Sequence, residues 1–262
     1  MRERVGFQFQ KVLGKNARPV VAAEKRKLAS PVSDFSRPAC VTLSFGRSES
    51  GKTTFCYRYL LNAATPQPLN PEPATCIFIY DWKHEAEKRL GIPAVTTKHG
   101  CEAALASRWV VFNPHVTFPG DQLIRPPEGG EKVWNDYKLG ARWFSSWVFD
   151  VCKRGPGRKI FYLDEMKEFQ SRFTIPPEIC RIARLGRAEG LELLTSTQFP
   201  RDYHADLRGS VTEWVCFSCT EPAELDAVRE YFSGVDRAAS LPKGQFIAYN
   251  RNSLAIETGS LW

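Results

Sequence analysis

A run of small, polar and basic residues early in the chain has the composition and spacing of a phosphate-binding loop. It matches the pattern G-x-x-x-x-G-K-[ST] in full and lies between an apolar run and a helical pattern. The residues that we expect to contact a nucleotide are Gly46, Arg47, Ser48, Glu49, Ser50, Gly51, Lys52, Thr53 and Thr54. Glycines at both ends let the backbone wrap tightly, so that its N–H groups point inward at phosphate oxygens. The segment therefore predicts binding of ATP.

Two side chains at the end of this loop have separate predicted roles. Lys52 would reach the β- and γ-phosphates, and the hydroxyl of Thr53 would hold Mg²⁺. The first turn of the following helix adds partial positive charge that favours an anion. The alternative is a glycine- and serine-rich turn that fits by chance, and the strand–loop–helix context counts against it.

An acidic pair follows a second apolar run. The run 159–163 ends in Asp164 and Glu165. We expect Asp164 to lie in the Mg²⁺ shell and Glu165 to polarise an attacking water. Such a pair alone is often a helix cap, but together with the phosphate-binding loop it indicates catalysis. A dedicated base for water favours hydrolysis over phosphate transfer to a small molecule.

A third group of polar residues lies further along the chain. Gln198 follows the run Leu191–Thr195, so it should emerge at the same sheet edge as Asp164 and hydrogen-bond the γ-phosphate or orient the water. Upstream, Arg181, Arg184 and Arg187 are spaced three apart on a predicted helix. Either these arginines form a solvated basic face, or one of them enters the nucleotide site of a neighbouring subunit.

Alternating strand and helix patterns predict how these residues are positioned. The expected fold is α/β, with a mainly parallel sheet flanked by helices on both faces. Predicted strands are Val41–Phe45, Thr75–Tyr80, Trp109–Phe112, Ile160–Leu163, Leu191–Thr195, Val215–Ser218 and Gln245–Tyr249. Predicted helices are Lys52–Ala64, a short one near His84–Leu90, a long one from about Val133 to Val151, Glu178–Arg187 and Pro222–Tyr231. Parallel strands bring their carboxyl ends to one edge, where ligands bind.

Charge separates the chain into two expected parts. The chain has 262 residues and a net charge of +7, and residues 1–38 hold nine Lys and Arg against three acidic residues, which leaves +6 in that segment. We therefore expect a basic arm over 1–38 and an ATPase domain over 39–262. The arm suits a polyanion or a docking protein, or is simply solvated. A second basic segment at 153–159 should lie at the sheet end away from the nucleotide, where it lines a pore or is solvated.

Composition excludes several classes of protein. Hydrophobic residues make up 43% and charged residues 25% of the chain, which argues against collagen and long disorder. No apolar run approaches the roughly 20 residues needed to cross a bilayer. We expect a soluble protein without a membrane-spanning segment.

The order of these motifs resembles that of the FtsK–HerA superfamily of ring-forming, DNA-pumping ATPases. The similar segments are Tyr80-Asp81-Trp82-Lys83, Leu163-Asp164-Glu165, Gly186-Arg187-Ala188-Glu189-Gly190-Leu191, Ser196-Thr197-Gln198-Phe199-Pro200 and the strand region Leu241–Tyr249. The resemblance implies a P-loop fold of the RecA and FtsK type. By position, Arg187 matches the family's trans-acting arginine and Gln198 its sensor.

Within that superfamily, the chain is most similar to the genome-packaging ATPases of tailless, membrane-containing icosahedral viruses. The resemblance implies a Mg²⁺-dependent, ATP-hydrolysing motor that forms a homo-oligomeric ring and moves double-stranded DNA into a preformed capsid. It also implies a capsid or membrane protein at the packaging vertex as a partner. The expected location is the host cytoplasm or the virion.

Three other functions remain open on the sequence. A filament-assembly or conjugation-type export ATPase of the same superfamily is the nearest alternative. A nucleotide-gated scaffold that does not hydrolyse ATP would have no need of Glu165. A small-molecule kinase should carry a substrate-lid signature, and none is visible.

Overall fold

The structure is a computed structural model that describes residues 40–65, 74–114 and 137–261. The expected arm over 1–38 and the start of the long helix near Val133 lie outside the described residues. Within the described ranges, eight strands form one sheet in the order β3-β2-β4-β5-β1-β6-β7-β8. Strands β1 to β6 pair in parallel, whereas β7 and β8 are antiparallel additions at one side. The predicted α/β fold with a mainly parallel sheet is confirmed.

The helices and strands follow the predicted alternation. The strands are β1 Val41–Phe45, β2 Cys76–Tyr80, β3 Trp109–Phe112, β4 Lys159–Leu163, β5 Leu191–Thr197, β6 Glu213–Phe217, β7 Gln245–Asn250 and β8 Ala255–Ser260. The helices are α1 Lys52–Ala64, α2 Ala86–Leu90, α3 Lys98–Ala104, α4 Tyr137–Cys152, α5 Pro177–Leu185, α6 Ala205–Ser210 and α7 Pro222–Arg229.

Two apolar cores lie on opposite faces of the sheet. Strands β1, β2 and β4 are buried along their whole length, as expected for parallel strands covered on both sides. One core packs α1 against the sheet and includes Phe55, Leu60, Tyr162, Phe217 and Phe246. The other packs α4 and α5 and includes Phe144, Val148, Phe161, Ile179 and Ile182. The two cores fix the sheet in the middle of the domain.

Strand order brings the predicted site residues to one edge. In the parallel register Leu163 is the partner of Thr195, and Phe45 is the partner of Thr197. The carboxyl ends of β1, β4 and β5 therefore lie side by side, and the segments that follow them leave the sheet together. The phosphate-binding loop, the acidic pair and Gln198 follow these three strand ends.

Several predicted element boundaries differ from the structure by one or two residues, and two of these differences affect the site. Strand β5 continues to Thr197 because its last residues keep pairing with β1. The predicted helix Glu178–Arg187 ends at Leu185, before Gly186, which is a poor helix former. Arg187 consequently lies in the short 3-10 turn Gly186–Glu189 that leads into β5.

Only part of the basic segment 153–159 is an exposed cationic surface, because Lys153 and Arg154 are exposed whereas Arg158 and Lys159 are not. Arg158 donates from Nη2 to Oε2 of Glu192 at 2.6 Å, and that carboxylate is 1% exposed. Lys159 is buried, with 6% of its surface exposed. Arg154 is paired with a glutamate of α3 at 2.8 Å. Arg158 and Lys159 are thus neither solvated nor open to a pore, because the fold uses their charges internally.

The described ranges contain no helix of a length and apolarity suited to crossing a bilayer.

Candidate functional site

The phosphate-binding loop is held in shape by two glycines and by the strands beside it. Gly46 and Gly51 have φ of 145° and 119°, and a Cβ on Gly51 would come within 2.6 Å of the Leu261 side chain. The Arg47 N–H donates to the Ser218 carbonyl at 2.8 Å, just beyond β6. The Gly244 N–H donates to the Ser50 carbonyl at 3.0 Å. The loop is therefore clamped between the end of β6 and the turn before β7.

The start of α1 is suited to bind an anion. Gly51 occupies the N-cap position, no side chain caps the helix, and its first turn contains no acidic residue. Thr53 and Thr54 are half-buried in that first turn. Ser50 is buried, and its hydroxyl has no hydrogen-bond partner in the described part of the chain. Free helix N–H groups and an unpartnered buried hydroxyl fit the phosphates of a nucleotide.

The Lys52 ammonium is buried against its own loop. It donates to the carbonyl oxygens of Gly46 at 2.9 Å and Arg47 at 2.8 Å. Burial lowers the pKa of Lys52, although the nearby Glu165 and Asp164 carboxylates partly oppose that shift. Lys52 is thus within the electrostatic reach of the acidic pair, as the sequence predicted. Phosphate oxygens of a bound nucleotide could take the place of these two neutral carbonyls as partners of the Lys52 ammonium.

Asp164 is a nearly buried carboxylate with two partners. The Lys83 ammonium donates to Oδ2 at 2.8 Å, and the Ser196 hydroxyl donates to Oδ1. Burial alone would raise the pKa of Asp164, but Lys83 and Ser196 outweigh it and hold this pKa below its ordinary value. Asp164 is therefore ionised at neutral pH, as a metal ligand must be.

Glu165 connects the acidic pair to Gln198. Its carboxylate lies 3.9 Å from the Lys83 ammonium and accepts a hydrogen bond from the Gln198 N–H at 3.3 Å. The Glu165 backbone is in the left-handed region, with φ of 50°. Such a conformation is uncommon for a residue with a side chain and is found disproportionately at functional sites. The structure brings Lys52, Asp164, Glu165 and Gln198 to one edge, as expected.

Lys83 contacts the acidic pair, although the motif that contains it predicted no role for this residue. The segment that carries it is fixed by Asp81, which accepts hydrogen bonds from the N–H groups of Glu85 at 2.8 Å and Ala86 at 3.0 Å. The neighbouring Trp82 donates from its indole nitrogen to the Asp164 carbonyl at 3.2 Å. Because β2 and β4 are adjacent, these contacts bring the end of one strand onto the acidic pair of the other.

The oxygen groups at this sheet edge fit Mg²⁺, which takes some of its ligands from phosphates and water. They do not fit a metal ion whose ligands are all protein side chains. The described residues contain no cluster of three or more His, Cys, Asp or Glu side chains that could hold a metal ion. Mg²⁺ is usually bound by one or two protein oxygens together with substrate phosphates and waters. A Thr53 hydroxyl and an ionised Asp164 fit that pattern, with the phosphates supplied by the nucleotide.

The three arginines at 181, 184 and 187 do not lie at the sheet edge that carries the other candidate residues. Arg181 is already engaged, with its guanidinium 4.3 Å from the centre of the Phe149 ring. The side chains of Arg184 and Arg187 are exposed and make no hydrogen bond or ion pair within the described ranges. Arg187 precedes the seven-residue β5, which spans about 20 Å. It therefore lies at the sheet end opposite the phosphate-binding loop and cannot reach the loop of its own subunit.

By sequence, neither a protein-family model nor a curated protein matches the chain. Several solved structures are similar in fold. The genome-packaging NTPase B204 from Sulfolobus turreted icosahedral virus 2, in complex with AMPPCP, matches with a TM-score of 0.60 at 17% identity, over 86% of this chain and 98% of its own. The DNA-packaging ATPase B204 from Sulfolobus turreted icosahedral virus matches with a TM-score of 0.56 at 19% identity, over 85% and 98%.

A third solved structure belongs to a different biological system. The pCW3 conjugation coupling protein TcpA, in its monomer form with ATPγS, has a TM-score of 0.53 at 15% identity, over 85% of this chain and 60% of its own. At such identities the likeness concerns the fold. The chain shares the α/β fold of these packaging and coupling proteins, so the resemblance inferred from the motifs is confirmed as a similarity in fold.

The Lys83–Asp164 contact yields a prediction about stability and pH. The substitution Lys83→Met leaves a buried carboxylate without its cation, so we expect the free energy of unfolding at pH 7 to fall by about 1–3 kcal/mol. The decrease in the free energy of unfolding should be largest above the ordinary aspartate pKa of 3.8. It should become smaller as pH falls towards and below that pKa, because a protonated Asp164 no longer needs Lys83.

Urea unfolding at pH 7, 5 and 3.5 measures this difference. Lys88→Met is the matched control, since Lys88 is exposed on α2 and makes no contact with the acidic pair. A stability gap between Lys83→Met and the unchanged protein that stays constant across the pH range would contradict the assignment.

Proposed function

We propose that the protein is a Mg²⁺-dependent ATPase that assembles into a homo-oligomeric ring and moves double-stranded DNA, with viral genome packaging as its role. The observation that carries the proposal is the meeting of Lys52, Asp164, Glu165 and Gln198 at one sheet edge. The similarity in fold to two packaging NTPases and a conjugation coupling protein supports the DNA-related part.

The loop and the start of α1 would hold the triphosphate. Backbone N–H groups between Gly46 and Thr54 point at its oxygens, and Lys52 exchanges its two carbonyl partners for the β- and γ-phosphates. Little reorganisation is required, because the ammonium already lies within the loop. Thr53 and Asp164 would hold Mg²⁺, which when bound neutralises charge on the β- and γ-phosphate oxygens.

The two members of the acidic pair, Asp164 and Glu165, have different roles in the proposed hydrolysis. Asp164 stays ionised because of its contacts with Lys83 and Ser196, so it serves the metal and not the proton transfer. Glu165 is the general base that takes a proton from the attacking water. The Gln198 N–H donates to the Glu165 carboxylate, and the Gln198 side chain would orient the water or contact the γ-phosphate.

The arginine required for transition-state charge would come from a second copy. The Arg187 side chain is exposed, makes no hydrogen bond or ion pair in the described ranges and lies at the sheet end away from its own loop. In a head-to-tail ring, the same surfaces meet at every interface, so the Arg187 end of one subunit can face the nucleotide of the next. The proposed ring and the proposed arginine role therefore depend on each other.

One of the alternative functions is weakened by particular contacts. A non-hydrolysing scaffold does not need a base held by both Lys83 and the Gln198 N–H. A small-molecule kinase should carry a substrate-lid signature, and none is visible in the sequence. An export ATPase of the conjugation type shares the whole site, and DNA stimulation and packaging assays separate it from a packaging motor.

The role of Glu165 is tested by Glu165→Gln. We expect ATP binding to persist and turnover to fall by at least ~10²-fold, the usual contribution of a general base. Steady-state ATPase rates and equilibrium binding of an ATP analogue measure the two effects. Glu168→Gln, the same chemical change in the next turn, should leave turnover within about two-fold, since among the described residues the Glu168 carboxylate accepts a hydrogen bond only from the Tyr137 hydroxyl. Near-normal hydrolysis by Glu165→Gln would remove Glu165 from the role.

The shared site is tested by mixing two inactive variants. Arg187→Ala alone should lose about 10³-fold in turnover, and Lys52→Ala should lose nucleotide binding. Co-expressed in equal amounts, they should recover activity, because random mixing leaves about a quarter of the interfaces with both halves intact. Arg184→Ala serves as the neighbouring control and should remain active. Mixed rings that never exceed either parent, with ring formation verified by native mass spectrometry, would contradict a shared site.

DNA contact is tested by salt and by truncation. Binding dominated by phosphate contacts should weaken with salt at a log–log slope of about −0.9 per contact and should differ little between sequences. We expect deletion of residues 1–38 to leave that slope unchanged, because a motor must release and regrip its track and a basic tail would hold it back. A truncated protein that still forms rings but loses DNA-stimulated ATPase activity would assign the arm to DNA binding and contradict its use as a docking tether.

A further inference from the structure

Lys159 is a buried lysine that the proposed reaction does not use. It is 6% exposed and makes no ion pair with any carboxylate in the described ranges. Its ammonium instead donates to three backbone carbonyls: those of Cys152 at 3.1 Å, Gly155, and Glu189 at 3.3 Å. Burying an ammonium is costly unless its donors are satisfied, so the two segments that supply these carbonyls must stay in place around it.

The three carbonyls come from two segments that are distant in sequence. Cys152 and Gly155 belong to the end of α4 and the loop that follows it, whereas Glu189 ends the 3-10 turn that carries Arg187. The Lys159 side chain therefore joins the Arg187 turn to the loop after α4. Glu189 is two positions after Arg187, so a shift of the Glu189 carbonyl moves the backbone that carries the arginine side chain.

Backbone hydrogen bonds also hold the Arg187 turn in place beside the loop after α4. The Lys159 N–H donates to the Gly190 carbonyl at 2.8 Å, and the Gly190 N–H donates to the Arg187 carbonyl at 3.2 Å. Gly190 has φ of 67°, and a Cβ there would lie 2.7 Å from the Gly157 carbonyl oxygen. The Arg187 turn thus touches the neighbouring loop backbone to backbone, at a distance that only glycine permits.

We propose that Lys159 is a positioning residue, which fixes the Arg187 turn so that the guanidinium can enter the nucleotide site of a second copy of this chain. The inference rests on the proposed trans role of Arg187. An exposed arginine with no partner in its own described subunit needs a rigid base, because a displacement of about 1 Å at a reacting site can cost 10²-fold in rate. Lys159 supplies that rigidity from inside the subunit.

The test uses the full chain and two kinds of mixed ring. Lys159→Met removes the ammonium but keeps an apolar side chain of similar length. We expect rings of Lys159→Met to bind an ATP analogue within about two-fold of the unchanged protein and to lose about 10–10²-fold in turnover. The matched control is Lys98→Met, an exposed lysine on α3 that should keep full activity.

Mixing then tells a positioning effect from a general structural one. Co-expressed with Lys52→Ala, which has an intact Arg187 end, Lys159→Met should recover turnover above both parents. Co-expressed with Arg187→Ala, it should recover none, because both partners lack the same half of the interface. Full turnover by Lys159→Met, or recovery with Arg187→Ala, would overturn the proposal.

The outcomes also separate this inference from the proposed function. Should Arg187→Ala and Lys52→Ala fail to complement each other, the shared site itself fails and the role of Lys159 falls with it. Should that pair complement while Lys159→Met and Lys52→Ala do not, only the role of Lys159 is overturned.

A second variant guards against misfolding of the first. Gly190→Ala places a methyl group against the Gly157 carbonyl and separates the turn from the loop without touching the ammonium. It should give the same pattern of complementation, with its fold checked by circular dichroism and ring formation. Loss of folding in both variants would assign these contacts to the stability of the sheet alone and would overturn the proposal.

Discussion

The structure of the site depends on how one buried carboxylate is neutralised. Asp164 sits at the end of a central strand, almost out of contact with water, where an unpaired negative charge would be very costly. Ser196 in β5 and Lys83 in the segment that follows β2 supply the balancing interactions, and β2 and β5 are the strands that flank β4. The strand order of the sheet is therefore tied to the ionisation of Asp164. A different order would separate the carboxylate from the two partners that keep it ionised.

Lysines lie at both ends of the sheet, but they have different partners. At the carboxyl edge, the buried Lys52 contacts the phosphate-binding loop, and the half-buried Lys83 contacts both carboxylates. At the opposite edge, the buried Lys159 is surrounded by backbone carbonyls close to the Arg187 turn. Under the proposed function, each subunit would carry the two halves of a hydrolytic site at its two ends. Ring assembly would then be needed to bring the two halves together.

Features encoded locally could be predicted from the sequence. The phosphate-binding loop and the acidic pair were found because strand, loop and helix signals are contiguous, and parallel pairing then brings Gln198 to the same edge. Features that depend on neighbouring strands could not. The charge count of segment 153–159 indicated an open basic surface, but it carries no sign that Glu192 lies one strand away. The role of Lys83 was missed for the same reason, since only the pairing of β2 with β4 brings it to Asp164. Strand β8 was missed because its residues are mostly exposed and lack an alternating apolar pattern.

The claim that one hydrolytic site is divided between two copies is tested most directly by a ring structure, determined by cryo-electron microscopy with a non-hydrolysable ATP analogue, Mg²⁺ and duplex DNA. The measurement is the distance from each Arg187 guanidinium to the γ-phosphate bound by the adjacent subunit. We predict hydrogen-bond distance, with Thr53 and Asp164 on the metal and the Arg187 turn still joined to Lys159. An Arg187 guanidinium that points into solvent or contacts its own subunit at every nucleotide-bound interface would contradict the account.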